Sequence, residues 1–109
     1  MATPLNTFKT IAANLTTSIS TMYTTPPNTT TIVLLAQIAN VGSSVIQVTA
    51  NHVDANVGST ELVKNFSIPT NDAVSVLTGK LVLQANESFS ANASANSSAK
   101  ITLSLIETI

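Results

Sequence analysis

Cysteine is absent from this 109-residue chain, which excludes a disulfide framework and thiolate metal sites and leaves the redox compartment open. Charge is scarce as well. Four lysines against five acids leave a formal net charge of -1, with neither the basic patch that phosphates demand nor a polybasic anchor for anionic lipid. Neither nucleic acid nor membrane is therefore expected as a partner. No apolar run approaches the roughly 18 to 20 residues needed to cross a bilayer as a helix. The three glycines, Gly42, Gly58 and Gly79, all read as turn residues, and there is no G-x-S-x-G elbow, P-loop or dinucleotide fingerprint. Aromatic rings number four: Phe8, Tyr23, Phe66 and Phe89. They read mostly as core, with Tyr23, beside Pro26 and Pro27, kept as the one candidate contact residue.

What the chain does have is Thr, Ser and Asn, 41 residues in all, whose short side chains suit pleated surfaces and tight turns better than helix interiors. The result is a polar but nearly uncharged surface. Freely soluble monomers usually carry interspersed charge, so this composition fits a protein held in a high-copy assembly, with an ordinary β domain encoded under biased codon use as the alternative. Asn-x-Ser/Thr triplets begin at Asn14, Asn28, Asn65, Asn86, Asn92 and Asn96. The start MATPLNTFK lacks the pattern of a secretory signal, so synthesis in a cytoplasm is expected and the triplets read as a by-product of composition.

The longest apolar run, Thr30 to Val41, has large residues on both parities and reads as a central strand covered on two sides. Pro26 and Pro27 stop the chain before it and Gly42-Ser43 turns it afterwards, suggesting a hairpin into the strand that begins near Ser44 and ends near Val53. Upstream, Thr7 to Thr16 alternates loosely around Phe8, Ile11, Ala13 and Leu15, with one register break for a bulge to absorb. Ser18 to Thr25 reads as a half-exposed strand. Asp54 to Ser59 is an exposed loop, and Thr60 to Ile68 a strand with Phe66 on its inner face. After the turn Pro69 to Asp72 come two short strands, Ala73 to Leu77 and Lys80 to Gln84, divided at Thr78-Gly79. The chain then turns at Ala85-Asn86-Glu87. Ser88 to Ala93 places Phe89, Ala91 and Ala93 inward, and Asn96-Ser97-Ser98 reads as a hairpin turn into Ala99 to Ile109, with Ile101, Leu103 and Leu105 inward. Eight to nine strands at this spacing predict an all-β fold, an antiparallel β-sandwich of jelly-roll or other Greek-key order. Residues 1–6 read as an N-terminal arm and 7–109 as a single domain.

Chemistry is hard to find. His52 and Asp54 share a strand face but lack an evident third ligand, so His52 reads as an exposed strand-end histidine. Glu61, Asp72, Glu87 and Glu107 are separated in sequence and read as solvated charges at turns and strand ends. No catalytic, cofactor-binding or metal-binding residue is assigned, and no cofactor is expected.

Two stretches carry a resemblance. Tyr23-Thr24-Thr25-Pro26 followed by Thr31-Ile32-Val33, with the strand ending near Asn40, resembles small virion proteins of tailed bacteriophages. So does Leu81-Val82-Leu83-Gln84-Ala85-Asn86-Glu87-Ser88-Phe89-Ser90-Ala91, in which Asn86-Glu87 stands where that group has Gly-Asp. The Asn and Thr bias looks like that of an AT-rich marine phage, similar to the cyanophages. The resemblance implies a non-enzymatic structural protein of the virion, assembled in the host cytoplasm. It would be a capsid decoration or cement protein bound to the major capsid protein, otherwise a neck, tail or fibre component, and a homo-oligomer. Residues 1–8 or the apolar tail 105–109 would then lie against a neighbouring subunit. A carbohydrate- or receptor-binding β-sandwich is the alternative, and an enzyme is not expected.

Overall fold

The computed structural model describes residues 6–54, 58–77 and 79–108. Most of the expected arm, the tip of the Asp54 to Ser59 loop, Thr78 and Ile109 lie outside the described residues. Nine strands follow one another: β1 (Asn6–Asn14), β2 (Ser20–Thr24), β3 (Thr30–Asn40), β4 (Ile46–Asp54), β5 (Gly58–Ile68), β6 (Ala73–Ser75), β7 (Leu81–Leu83), β8 (Ser88–Ala93) and β9 (Ala99–Thr108). They form two antiparallel sheets. One has the order β1-β9-β3, with β6 and β7 sharing the far side of β3, and the other the order β2-β8-β4-β5. With β6 and β7 counted as one interrupted strand, this is a jelly roll, as the sequence predicts.

The jelly-roll order corrects two local expectations. β3 and β4 lie in different sheets, and so do β8 and β9, so Gly42-Ser43 and Asn96-Ser97-Ser98 are crossings between sheets rather than hairpins. Of the strands that follow one another directly, only β4 and β5 pair. The turn residues themselves are where the sequence puts them. Asn28, Asn71, Asn86 and Ser97 take left-handed φ values of 59°, 63°, 68° and 61°, conformations that asparagine tolerates better than most side chains.

β3 is internal, between β9 and the β6/β7 pair, but it is not covered on two sides. A register shift against β9 between Val33 and Leu35 marks a bulge at Leu34. The bulge re-phases the strand, so Thr31, Val33, Ala36, Ile38 and Asn40 are all buried between the sheets. Ile32, Leu34, Leu35 and Ala39 are left on the outer side, half-buried or exposed. Bulges also shape β5. Two register shifts against β4 and a left-handed Asn65 interrupt its alternation, yet Phe66 stands opposite buried Val48, on the inner side as expected, but at the sandwich edge, where it is 44% exposed. β1, by contrast, runs beside β9 without any shift, from Asn6 opposite Thr108 to Asn14 opposite Lys100. The expected bulge is absent, and Phe8 therefore points away from the core. The segment 105–108 is no free tail either, since it pairs with β1 and β3 at once.

The core is aliphatic and small-residue rich. Leu15, Val33, Ile38, Leu83, Ile101, Leu103 and Leu105 of one sheet meet Val48, Ile68, Phe89, Ala91 and Ala93 of the other. At one end of the sandwich Asn40 closes the layers. Its Nδ2 donates to the Ser44 and Ile68 carbonyls at 2.8 and 3.0 Å, and its Oδ1 accepts from the Gly42 N–H at 3.0 Å. Its backbone N–H and carbonyl engage Asp72 and Asn71. One buried side chain thus satisfies two groups of the β3–β4 connection and one at the end of β5. The isosteric change Asn40→Asp aims an acceptor at two carbonyls and should cost about 2–4 kcal/mol. The expected reading is a lower urea midpoint with an unchanged slope.

Candidate functional site

Two polar clusters bring together residues that are far apart in sequence. At the end of the sandwich opposite Asn40, the Tyr23 hydroxyl of β2 donates to Glu107 Oε2 of β9, across the two sheets. Thr31 Oγ1 of β3 is 2.8 Å from the same hydroxyl, and Lys9 Nζ of β1 is 3.0 Å from Glu107 Oε1. Glu107 is therefore not the solvated strand-end charge expected of it, and Tyr23 is buried rather than a contact residue. Burial, reinforced by the bond to Glu107, pushes the Tyr23 phenol from its ordinary value of 10.0 up to about 12. That same bond, and then Lys9, hold the Glu107 carboxyl below the usual carboxylate range.

The second cluster joins His52 of β4 to Glu87, in the turn before β8. His52 Nε2 lies 2.9 Å from Glu87 Oε1, which also accepts the Gln84 N–H at 2.9 Å. The Glu87 carbonyl accepts the Thr25 N–H at 2.8 Å. Glu87 is buried and His52 half-buried, so neither is the exposed group that sequence spacing suggests. The pair holds the β7–β8 turn against β4, while the Glu87 backbone ties it to the end of β2. Asp72 and Glu61 are exposed, as expected.

Among the described residues, no three His, Cys, Asp or Glu side chains converge to hold a metal. A depression of about 280 Å³ opens at the sandwich edge between β5 and the β6–β7 segment, lined by Leu62, Val63, Phe66, Leu77, Lys80 and Leu81 among others. A second, of about 330 Å³, lies along β1 and β9 around Ala12 and Thr102. Both lack the titratable pairs described above.

The most distinctive surface is the outer face of the β1-β9-β3 sheet. Phe8, Ile106, Ile32 and Val82 stand opposite one another in register and form one apolar row across β1, β9, β3 and β7. Phe8 is 74% exposed and Val82 51%. Leu34 lies beside the row, 40% exposed because of the bulge. Further along the face come Thr10, Ser104, Ala12, Thr102 and Gln37, and its one charged residue on these strands is Lys100 at the far end. The sequence signal was present in the run Thr30 to Val41, whose remaining apolar residues Ile32, Leu34, Leu35 and Ala39 serve this face and not a second core. Phe8 and Phe66 are surface rings, so only half of the four aromatics belong to the core.

No protein-family model matches the sequence, and no curated protein sequence is similar to it. Solved structures are similar in fold. A protein of the Bacillus endospore appendages, described as disulfide-linked pili, matches with a TM-score of 0.56 and 9% identity, over 95% of this chain and 87% of that one. A chain of the T13 particle of infectious bursal disease virus matches with a TM-score of 0.53 and 9% identity, over 97% of this chain and 31% of that one. This chain thus spans less than a third of the length of that viral chain. A pentameric capsid protein from metagenomic phage sequences has a TM-score of 0.45 and 15% identity, over 92% of this chain and 60% of that one. At such identities the likeness is one of fold.

The Tyr23 cluster makes stability depend on alkaline pH. A phenol whose folded value is raised stabilises the fold fully below its unfolded value near 10, and that contribution is lost as pH rises toward about 12. Tyr23 is the only tyrosine and there is no tryptophan, so phenolate absorbance reports it alone. The titration should centre near 12 in the folded protein, and Tyr23→Phe should remove the corresponding loss of stability between pH 10 and 12 in urea melts. A midpoint near 10 would show that the hydroxyl is free.

Proposed function

We propose that this chain is a non-enzymatic structural subunit of a virion, seated on the phage head shell as a decoration or cement protein. The observation that carries the reading is the outer face of the β1-β9-β3 sheet, a nearly uncharged surface crossed by the row Phe8, Ile106, Ile32 and Val82. A monomer gains nothing from keeping such a row in water, whereas a particle component buries it on its support. Repeating a modest interface over many copies supplies avidity without a single tight contact. The jelly-roll likeness to a viral particle chain and to a pilus protein supports a particle-building role, and the phage-like motifs at Tyr23 to Pro26 and Leu81 to Ala91 favour the virion. The pilus reading is weaker, because a chain without cysteine has no means of disulfide linkage.

Quantitative mass spectrometry of purified virions tests the proposal directly. A copy number equal to that of the major capsid protein, or a simple fraction of it, is the result expected of a head decoration protein. A handful of copies would move the chain to the neck, tail or a fibre, and absence from the particle would overturn the reading. The surface is tested separately by Val82→Glu. Val82 is exposed and lies on the side of the sheet away from β1, so folding stability should change by no more than about 0.5 kcal/mol. Binding to particles that lack the protein should fall by roughly tenfold or more, since a charge placed in an apolar contact loses its water.

A further inference from the structure

The four sheet edges differ in how they resist pairing with another strand. β2 has five residues and a bulge between Thr21 and Tyr23. β5 is long, but two register shifts distort it, and Glu61 and Lys64 lie along it. The edge beyond β3 is broken into β6 and β7, three residues each. Short length, bulges and charge are the usual means by which an edge is kept from recruiting strangers. β1 is neither short nor bulged. It runs for nine residues in unbroken register, without proline or glycine, and its one charge, Lys9, is matched by Glu107 of the same chain.

The β1 sequence NTFKTIAAN is also complementary to itself. Set antiparallel to a copy about Thr10, it places Asn6 opposite Asn14, Phe8 opposite Ala12 and Lys9 opposite Ile11, so no like charges face each other. On the outer face the large Phe8 of each copy covers the small Ala12 of the other. We infer that β1 is the strand through which two copies of this chain pair, antiparallel about a twofold axis at Thr10, joining their β1-β9-β3 sheets into one. The two apolar rows then lie on one continuous outer face. Such an isologous contact needs only one surface patch, used twice. The inference goes beyond the virion reading and applies to this chain in any assembly.

The absence of cysteine gives a clean test. Across a twofold axis at Thr10 the two copies of that residue stand directly opposite, within the separation of facing residues on neighbouring strands and within reach of a disulfide. Mild oxidation of purified full-length Thr10→Cys should give a covalent dimer in high yield, while Ser43→Cys, in an exposed connection, should not. Sedimentation should show dimers of the unmodified protein. Thr10→Lys and Thr10→Glu should each weaken the dimer by roughly fivefold or more, and mixing the two should restore it, because opposite charges then face each other. A protein that stays monomeric at all concentrations overturns the inference. So does a dimer indifferent to Thr10, or one that the Lys/Glu mixture fails to restore. If removal of residues 1–5 turns a monomer into a dimer, the chain's own first residues occupy the edge and the inference likewise fails. None of these outcomes bears on particle copy number or on Val82, so the two proposals fail independently.

Discussion

The bulge at Leu34 is the constraint on which most of this structure depends. β3 is the longest strand of its sheet, and it must place Thr31 and Val33 on the same face as Ala36, Ile38 and Asn40. Those two sets have opposite parity, and a regular strand can bury only one of them. One extra residue against β9 resolves the conflict, and the consequences run in both directions along the strand. Toward its start, Thr31 comes within reach of Tyr23 and so of the cluster that ties the sheets at one end. Toward its finish, Asn40 enters the layer and ties them at the other. The bulge also decides the outer surface, because Ile32, Leu34 and Leu35 all turn outward around it.

How much of this was legible in the sequence follows from the range of the interactions concerned. The turns were legible, because Asn71 and Asn86 adopt left-handed backbone for local steric reasons and Pro26 and Pro27 end a strand wherever they occur. Inner faces of β8 and β9 were legible too, since Phe89, Ala91, Ala93 and Ile101, Leu103, Leu105 alternate without a break. Where a bulge intervenes, alternation misleads. It read the second parity of β3 as a second buried face. Sheet membership was not legible at all. A short turn such as Gly42-Ser43 connects strands within a sheet or across a sandwich equally well, and only the long-range ladder β3–β9 settles which.

The polar clusters show the same limit from the side of chemistry. Tyr23 and Glu107 are 84 residues apart and His52 and Glu87 are 35 apart, so no spacing rule connects them. Each acid looked isolated and was assigned to solvent for that reason. In the fold they do structural work instead, pairing across sheets or holding a turn against its neighbour. Glu87 stands at a turn, and the structure supplies a physical reason for an acid there: it accepts from the Gln84 N–H while it holds His52.

Scarcity of charge and the arrangement of edges belong to one argument. In a soluble monomer, surface charge prevents both face-to-face and edge-to-edge association. This chain spends its nine formal charges sparingly, and several are consumed within the fold, Lys9 on Glu107 and Glu87 on His52. The outer face of the β1-β9-β3 sheet is left with Lys100 alone. Yet three of the four sheet edges are blunted mainly by geometry, through bulges in β2 and β5 and the interruption between β6 and β7, with Glu61 and Lys64 added along β5. Association is thus restrained along three edges and, on the inference above, directed to the fourth edge and the apolar face that meets it at Phe8. A surface open in only two adjoining directions favours defined contacts over aggregation, which is what a subunit of an ordered assembly requires.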